Sequence, residues 1–190
     1  MEVGTKAGDA IGELLFGYET PSGKLTMSFP RVSWQVPIRY NFIKTGRPPN
    51  NSTYSSRYQD CEIGPLYKFG HGLSYANIEY SDFSLSSETI TENNPVTISF
   101  YIENKSDFDC KETIILFFSD PVAGIVRPIK ELVKFNKIFL LKNSKKQIKF
   151  KIFLDDLKYT NHNNEKLIEK GKVNFYVNTN ENCILTIKVE

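Results

Sequence analysis

The sequence predicts a mainly β fold, in which a sandwich of two antiparallel sheets follows an incomplete α/β segment and a long loop. Three observations carry this. From about Asn77 onward the chain reads as about seven short apolar or alternating runs separated by turn signals. Ahead of them, Pro30, Pro37, Pro48, Pro49 and Pro65 stand among many Asn, Ser and Gly residues, which leaves little room for regular structure up to Tyr75. At the front, Gly4 to Gly17 has helical periodicity but no second layer of its own to cover it.

The helix places Ala7, Ala10, Ile11, Leu14 and Leu15 on one face, and Gly17 supplies its C-terminal cap. Pro21-Ser22-Gly23 makes a turn, and Lys24 to Phe29 alternates as one short strand that Pro30 stops. In the sandwich, Ile78 to Leu85 is the first strand. Val96 to Ile102 follows, with apolar residues at 96, 98, 100 and 102 alternating with mostly polar ones, as on a half-buried strand. Thr113 to Phe118 is apolar on both faces and therefore belongs centrally, between layers. Glu131 to Leu140, Gln147 to Phe153, Lys172 to Val177 and Ile184 to Val189 complete the set. The single tryptophan, Trp34, lies outside this region, so the sandwich is of the immunoglobulin type without its buried disulfide and tryptophan.

Composition excludes several classes of function. With 24 Lys and Arg against 22 Asp and Glu, a formal charge of +2 is too small for a phosphate-binding surface, and no nucleic-acid partner is expected. No run of about 18 apolar residues is present, so no membrane span is expected. No signal-peptide pattern follows Met1. Cys61, Cys110 and Cys183 are far apart and form no C-x-x-C pair, and His71 and His162 are the only histidines, so no metal and no cofactor are expected.

Several motifs occur in an order that resembles the carboxy-terminal part of glycoside hydrolase family 3 β-glucosidases. They are Ala10-Ile-Gly-Glu-Leu-Leu-Phe-Gly17, Pro21-Ser-Gly-Lys-Leu25, Ser28-Phe-Pro30, Gln35-Val-Pro37, Thr45-Gly-Arg-Pro48 and Pro65-Leu-Tyr-Lys-Phe-Gly-His-Gly-Leu-Ser-Tyr75. Arg127-Pro-Ile-Lys-Glu-Leu132, followed by Phe135 and Leu140, resembles the fibronectin type III-like domain that closes many of those enzymes. The resemblance covers nearly the whole chain and departs at Gly12, Lys68 and His71, where Ala, Pro and Tyr are usual. It implies an immunoglobulin/fibronectin III-like β-sandwich at residues 77–190, a linking loop at 46–76, and a carboxy-terminal remnant of an α/β sandwich domain at 1–45.

The resemblance also implies a parent enzyme with an upstream barrel and α/β domain as the missing partners, and a β-linked glucoside or oligosaccharide as substrate. Such enzymes are retaining, with a nucleophilic carboxylate and an acid/base carboxyl about 5 Å apart. Both are implied to lie upstream, so no catalytic residue is assigned to this chain, and alone it is expected to be inactive. The periplasm or the cell exterior is the implied location of the parent. The alternative is a freestanding fibronectin III-like binding or assembly module.

Within the chain, Asp60 with Glu62 invites an acid/base reading, but in a loop these are solvated side chains or partners for Arg57. Asp155-Asp156 reads as a turn or helix-capping pair. Trp34, Tyr40, Tyr54, Tyr58 and Tyr67 could stack on a sugar, yet anchoring the loop explains them better. Arg47 and Arg57 could bond a sugar hydroxyl or a neighbouring carboxylate, so no substrate-binding residue is assigned. Gly70-His71-Gly72 is a tight turn, since a phosphate loop needs a strand before it and a helix after it. Lys142, Lys145, Lys146, Lys149 and Lys151 form a solvated face, and Asn50, Asn51 and Asn104 sit in glycosylation sequences.

Overall fold

A computed structural model describes residues 4–50, 54–179 and 184–190 of the chain. Among these residues are one α-helix, α1 (Ala7–Leu15), and then β1 (Ile78–Leu85), β2 (Thr89–Ile90), β3 (Val96–Asn104), β4 (Cys110–Ser119) and β5 (Glu131–Leu140). β6 (Ser144–Ile152), β7 (Tyr159–Thr160), β8 (Lys166–Leu167), β9 (Gly171–Val177) and β10 (Leu185–Val189) follow.

Two sheets face each other. One has the order β1-β3-β6 and the other β2-β10-β9-β4-β5, while β7 and β8 pair as a small ribbon. Alternation is what makes β3 and β6 partners. Every second residue of Val96–Asn104 is buried, and the register sets Ile98 opposite Phe150 and Phe100 opposite Ile148. Facing them from the larger sheet are Ile114, Leu116, Phe118, Val173, Phe175 and Ile187, which close one continuous core. The sandwich thus has the mainly β, immunoglobulin-like form that alternation predicts. It differs in two respects: β2 runs parallel to β10, so the larger sheet is mixed rather than antiparallel throughout, and the short strands β2, β7 and β8 lie outside the seven expected runs.

β4 lies between β9 and β5, as a strand apolar on both faces requires. Its inner face is core. On its outer face Ile115 and Phe117 are also buried, and there the cover is the front segment. Phe69 stacks on Tyr40 with ring centres 4.4 Å apart, and both rings lean on Phe117 at 5.9 and 5.8 Å. Gly70 sits against Ile115, adopting φ +82, and a side chain there would press on the Ile115 methyl.

The front segment departs from expectation in one way. Lys24 to Phe29 is not a strand: Leu25 and Phe29 make separate backbone bonds to His71 and Tyr67, at 2.8 Å each, with a bend between them. Its alternation is real but too short to sustain a ladder. The loop after Pro30 has little regular structure, as its prolines imply, and it drapes over the outer face of β4. The apolar face of α1 stays uncovered. None of its side chains is buried, and Leu15 is 72% exposed. Gly17 ends it as predicted, with φ +75 and the Tyr18 amide donating back to the Glu13 carbonyl at 2.9 Å.

Candidate functional site

The best-organised polar region lies where the front segment meets the sandwich. β9 pairs with β4 only from Leu116 to Ser119, so the first half of β4 has an open edge. Asn178, just beyond β9, turns back to close it. Its amide donates to the Ile115 carbonyl at 2.7 Å, and its side-chain oxygen accepts from the Ile115 amide at 2.8 Å. The Asn178 side-chain nitrogen then donates to the Tyr80 hydroxyl at 2.7 Å, and Tyr80 donates to the buried Glu112 carboxylate at 3.0 Å. From the front segment Lys24 completes the chain, lying 3.4 Å from Glu112 and donating to the Gly72 carbonyl at 3.1 Å. Thr113 donates to the Ser22 carbonyl at 3.0 Å. A buried carboxylate needs such partners, and Glu112 takes them from both parts of the molecule.

Burial pushes the Tyr80 phenol far above its ordinary value, and the Glu112 carboxylate pushes it further. An unfolded chain loses this proton near pH 10, whereas the folded chain keeps it. Stability linked to Tyr80 is thus complete below about pH 10 and falls as pH rises beyond it. Urea midpoints measured across that range should decline less steeply in Tyr80→Phe than in the parent. Parallel declines would show that Tyr80 does not hold its proton as described.

Beside this junction the loop layer and the sheet enclose a cleft of about 550 Å³. Tyr40, Phe69 and Phe117 line it together with Arg31, Arg39, Lys68 and Lys130. Its lining offers cations and rings but no carboxylate among the described residues, so it can bind a polar group without supplying the two acids that hydrolysis of a glycoside needs.

The residues singled out in the sequence are not gathered into one place. Glu62 pairs with Arg31 at 2.8 Å, rather than with Arg57, while Asp60 is exposed. Asp156 accepts from the Phe153 amide at 2.9 Å at the start of a short 3-10 helix, Leu154–Leu157, which is the capping role predicted, and it also binds Lys134 at 2.7 Å. Asp155 is held below the usual carboxylate range by a hydrogen bond from Lys158, the reverse of what a general acid needs. Tyr58 donates to the Trp34 carbonyl at 2.8 Å, and Tyr67 stacks on His71 at 4.9 Å, so both anchor the loop. Tyr54 is 81% exposed. Arg47 lends its carbonyl to the Ser56 amide at 3.1 Å, and the Arg57 Nε is buried without a partner among the described residues.

Gly70 and Gly72 do make a tight turn, in which a side chain at Gly72 would collide with the Gly23 carbonyl. Lys149 and Lys151 face solvent, and Lys145 reaches Asp82 at 3.1 Å. Asn104 is fully buried, donating to the Phe108 and Leu141 carbonyls at 2.8 and 3.2 Å, so the folded chain offers no glycosylation acceptor there. Asn50 is exposed; Asn51 and Cys183 fall outside the described residues. Cys61 accepts from the Gln35 side chain at 3.4 Å, and burial, then Glu112, push the Cys110 thiol up. His162 is exposed beside β7. Among the described residues no group of three His, Cys, Asp or Glu is placed to hold a metal.

One buried cation gave no functional signal in the sequence beyond its place in a motif. Arg127 donates to Asp120 at 3.1 Å, to Glu131 at 2.8 Å and to the Leu157 carbonyl at 3.1 Å, and its guanidinium lies 5.0 Å from the ring centres of Phe118 and Tyr159. It fastens the loop before β5 to the core.

Comparison with known proteins agrees with this arrangement. Residues 2–75 match the model of the glycosyl hydrolase family 3 C-terminal domain, and residues 112–181 match that of the fibronectin type III-like domain. The periplasmic beta-glucosidase of Salmonella typhimurium is 40% identical over 177 residues, which is 92% of this chain and 23% of that protein. A beta-xylosidase of Formosa agariphila is 34% identical over 172 residues, 88% of this chain and 23% of its own length. In the crystal structure of the beta-glucosidase from Listeria innocua with gluconolactone, 26% of that chain superposes on 98% of this one, with a TM-score of 0.91 and 35% identity. The chain spans about a quarter of the length of the curated relatives it matches. With both domains present in that order, the chain belongs to glycoside hydrolase family 3 and carries the carboxy-terminal region of such an enzyme.

Proposed function

We propose that this chain is the terminal packing module of a β-glucosidase-like enzyme acting on β-linked glucosides, and that both reacting carboxylates come from upstream sequence. In this reading residues 1–45 complete an α/β domain, 46–76 link it to the sandwich, and 77–190 form the sandwich that braces it. The observation that carries the proposal is the continuous match to the last quarter of named β-glucosidases. The uncovered face of α1 supports it, since Ile11, Leu14 and Leu15 are exposed on a helix whose pattern calls for a sheet. A retaining mechanism holds nucleophile and acid/base about 5 Å apart across the glycosidic bond, and Asp60 and Glu62 have neither the burial nor the setting for those roles.

The purified chain should not release nitrophenol from 4-nitrophenyl β-glucoside above a buffer blank. Fused behind the first three quarters of the Salmonella typhimurium relative, in place of that protein's own terminal quarter, it should restore turnover. Activity of the isolated chain that disappears in Asp60→Asn would overturn the proposal. So would a folded but inactive fusion.

A further inference from the structure

A groove of about 740 Å³ runs between the carboxyl end of α1 and the edge of the sandwich formed by β4 and β5. Four aromatic rings line it, each from a different stretch of chain. Tyr18 follows α1, Tyr75 ends the loop, Phe108 lies in the β3–β4 turn and Phe139 is on β5. They are 82%, 54%, 41% and 51% exposed. Rings that serve the fold find other rings, as Tyr40 does on Phe69 and Phe83 on Phe100. Among the described residues none of the four groove rings makes a ring–ring or cation–π contact, and each keeps at least 41% of its surface exposed. Two are nevertheless held in position. The Tyr75 hydroxyl donates to the Leu14 carbonyl at 2.8 Å, and Gly17 at φ +75 turns Tyr18 out while its amide is bonded to Glu13.

The rim is polar and nearly neutral, with the carboxylates of Glu19, Asp107 and Asp109 against the ammonium groups of Lys111 and Lys142. Asp109 is fixed by the Lys142 backbone amide at 2.8 Å, and Asp107 accepts from Asn143 at 3.4 Å. In each the second oxygen has no partner among the described residues. Flat apolar rings with fixed acceptors beside them suit a ligand that has apolar faces and a belt of hydroxyl donors. The near balance of charge does not suit a polyanion.

We propose that this groove is a non-catalytic glycan-binding site that takes a stretch of neutral β-linked glucose units. Their ring substituents are all equatorial, so both faces of each pyranose present C–H groups for stacking while the edges present hydroxyls to Asp107, Asp109 and Glu19. The choice of β-linked glucose rests on the function proposed above. The site would hold a polymeric substrate on the terminal module.

Native affinity electrophoresis of the full chain tests this, with barley β-glucan, starch or polygalacturonate cast in the gel. β-Glucan should retard the chain and the other two should not. Tyr18→Ala and Phe139→Ala should each raise the apparent Kd for β-glucan about tenfold, a loss of one stacking face. Tyr18 is exposed, so its variant should melt with the parent, and Tyr54→Ala, outside the groove, should be retarded like the parent. Absence of retardation by β-glucan overturns the proposal, as does retardation unchanged in both groove variants. Equal retardation by starch or polygalacturonate rejects the stated ligand. The fusion assay above is separate: restored turnover without retardation rejects the groove alone, and retardation without turnover rejects the catalytic setting alone.

Discussion

Arg127→Ala should destabilise the sandwich by about 3–5 kcal/mol, the loss characteristic of a buried ion pair deprived of one partner. The Arg127 side chain is 1% exposed and Asp120 is 5% exposed, so removing the guanidinium leaves a carboxylate in the interior with its principal partner gone. Glu131, at 30% exposure, can turn to water and contributes less. The same substitution frees the Leu157 carbonyl and removes a cation from the faces of Phe118 and Tyr159. The origin of the loss can be separated from simple loss of packing. Arg127→Met keeps most of the side-chain volume, and adding Asp120→Asn to it should recover part of the stability, because the stranded charge is then absent. Urea unfolding of the parent, the single and the double variant provides the comparison. A double variant less stable than Arg127→Met would show that the buried charge is not the cause.

Leu116→Ala should cost about 2–5 kcal/mol, through lost burial and the cavity left behind. Leu116 is fully buried at the centre of β4, opposite Val177 of β9 on one side and Lys134 of β5 on the other. Lys149→Ala, on the exposed face of β6, should change stability by less than about 0.5 kcal/mol. The full chain is the right material, since truncation at Asn77 would bare the outer-face residues Ile115 and Phe117 that the loop covers. Midpoints that shift equally little for both variants, at unchanged m-value, would mean that β4 is not the central strand.

The positions of the long strands were legible because their signals are local. Val96 to Ile102 alternates within itself, and Thr113 to Phe118 announces two dry faces whatever lies on them. The helix and its glycine stop were legible for the same reason. Lys24 to Phe29 misled because alternation states which side chains could share a face, not whether a partner backbone runs alongside.

For the candidate site, the sequence alone excluded metal-type motifs and pointed away from Asp60 and Glu62. It could not locate the junction. Glu112 and Lys24 look like ordinary surface charges until folding joins them, and Asn178 meets Tyr80 across 98 residues of chain. The second layer over β4 was equally hidden, because Tyr40 and Phe69 reach Phe117 from a loop that has no periodicity to read. By itself, then, the sequence determined the long strands of the sandwich, the family resemblance and the apolar stripe on α1, all encoded in neighbouring residues. Only the tertiary structure decided which charges are buried, what covers the outer face of β4 and which rings remain bare, since burial is a property of the assembled surfaces and not of any one segment.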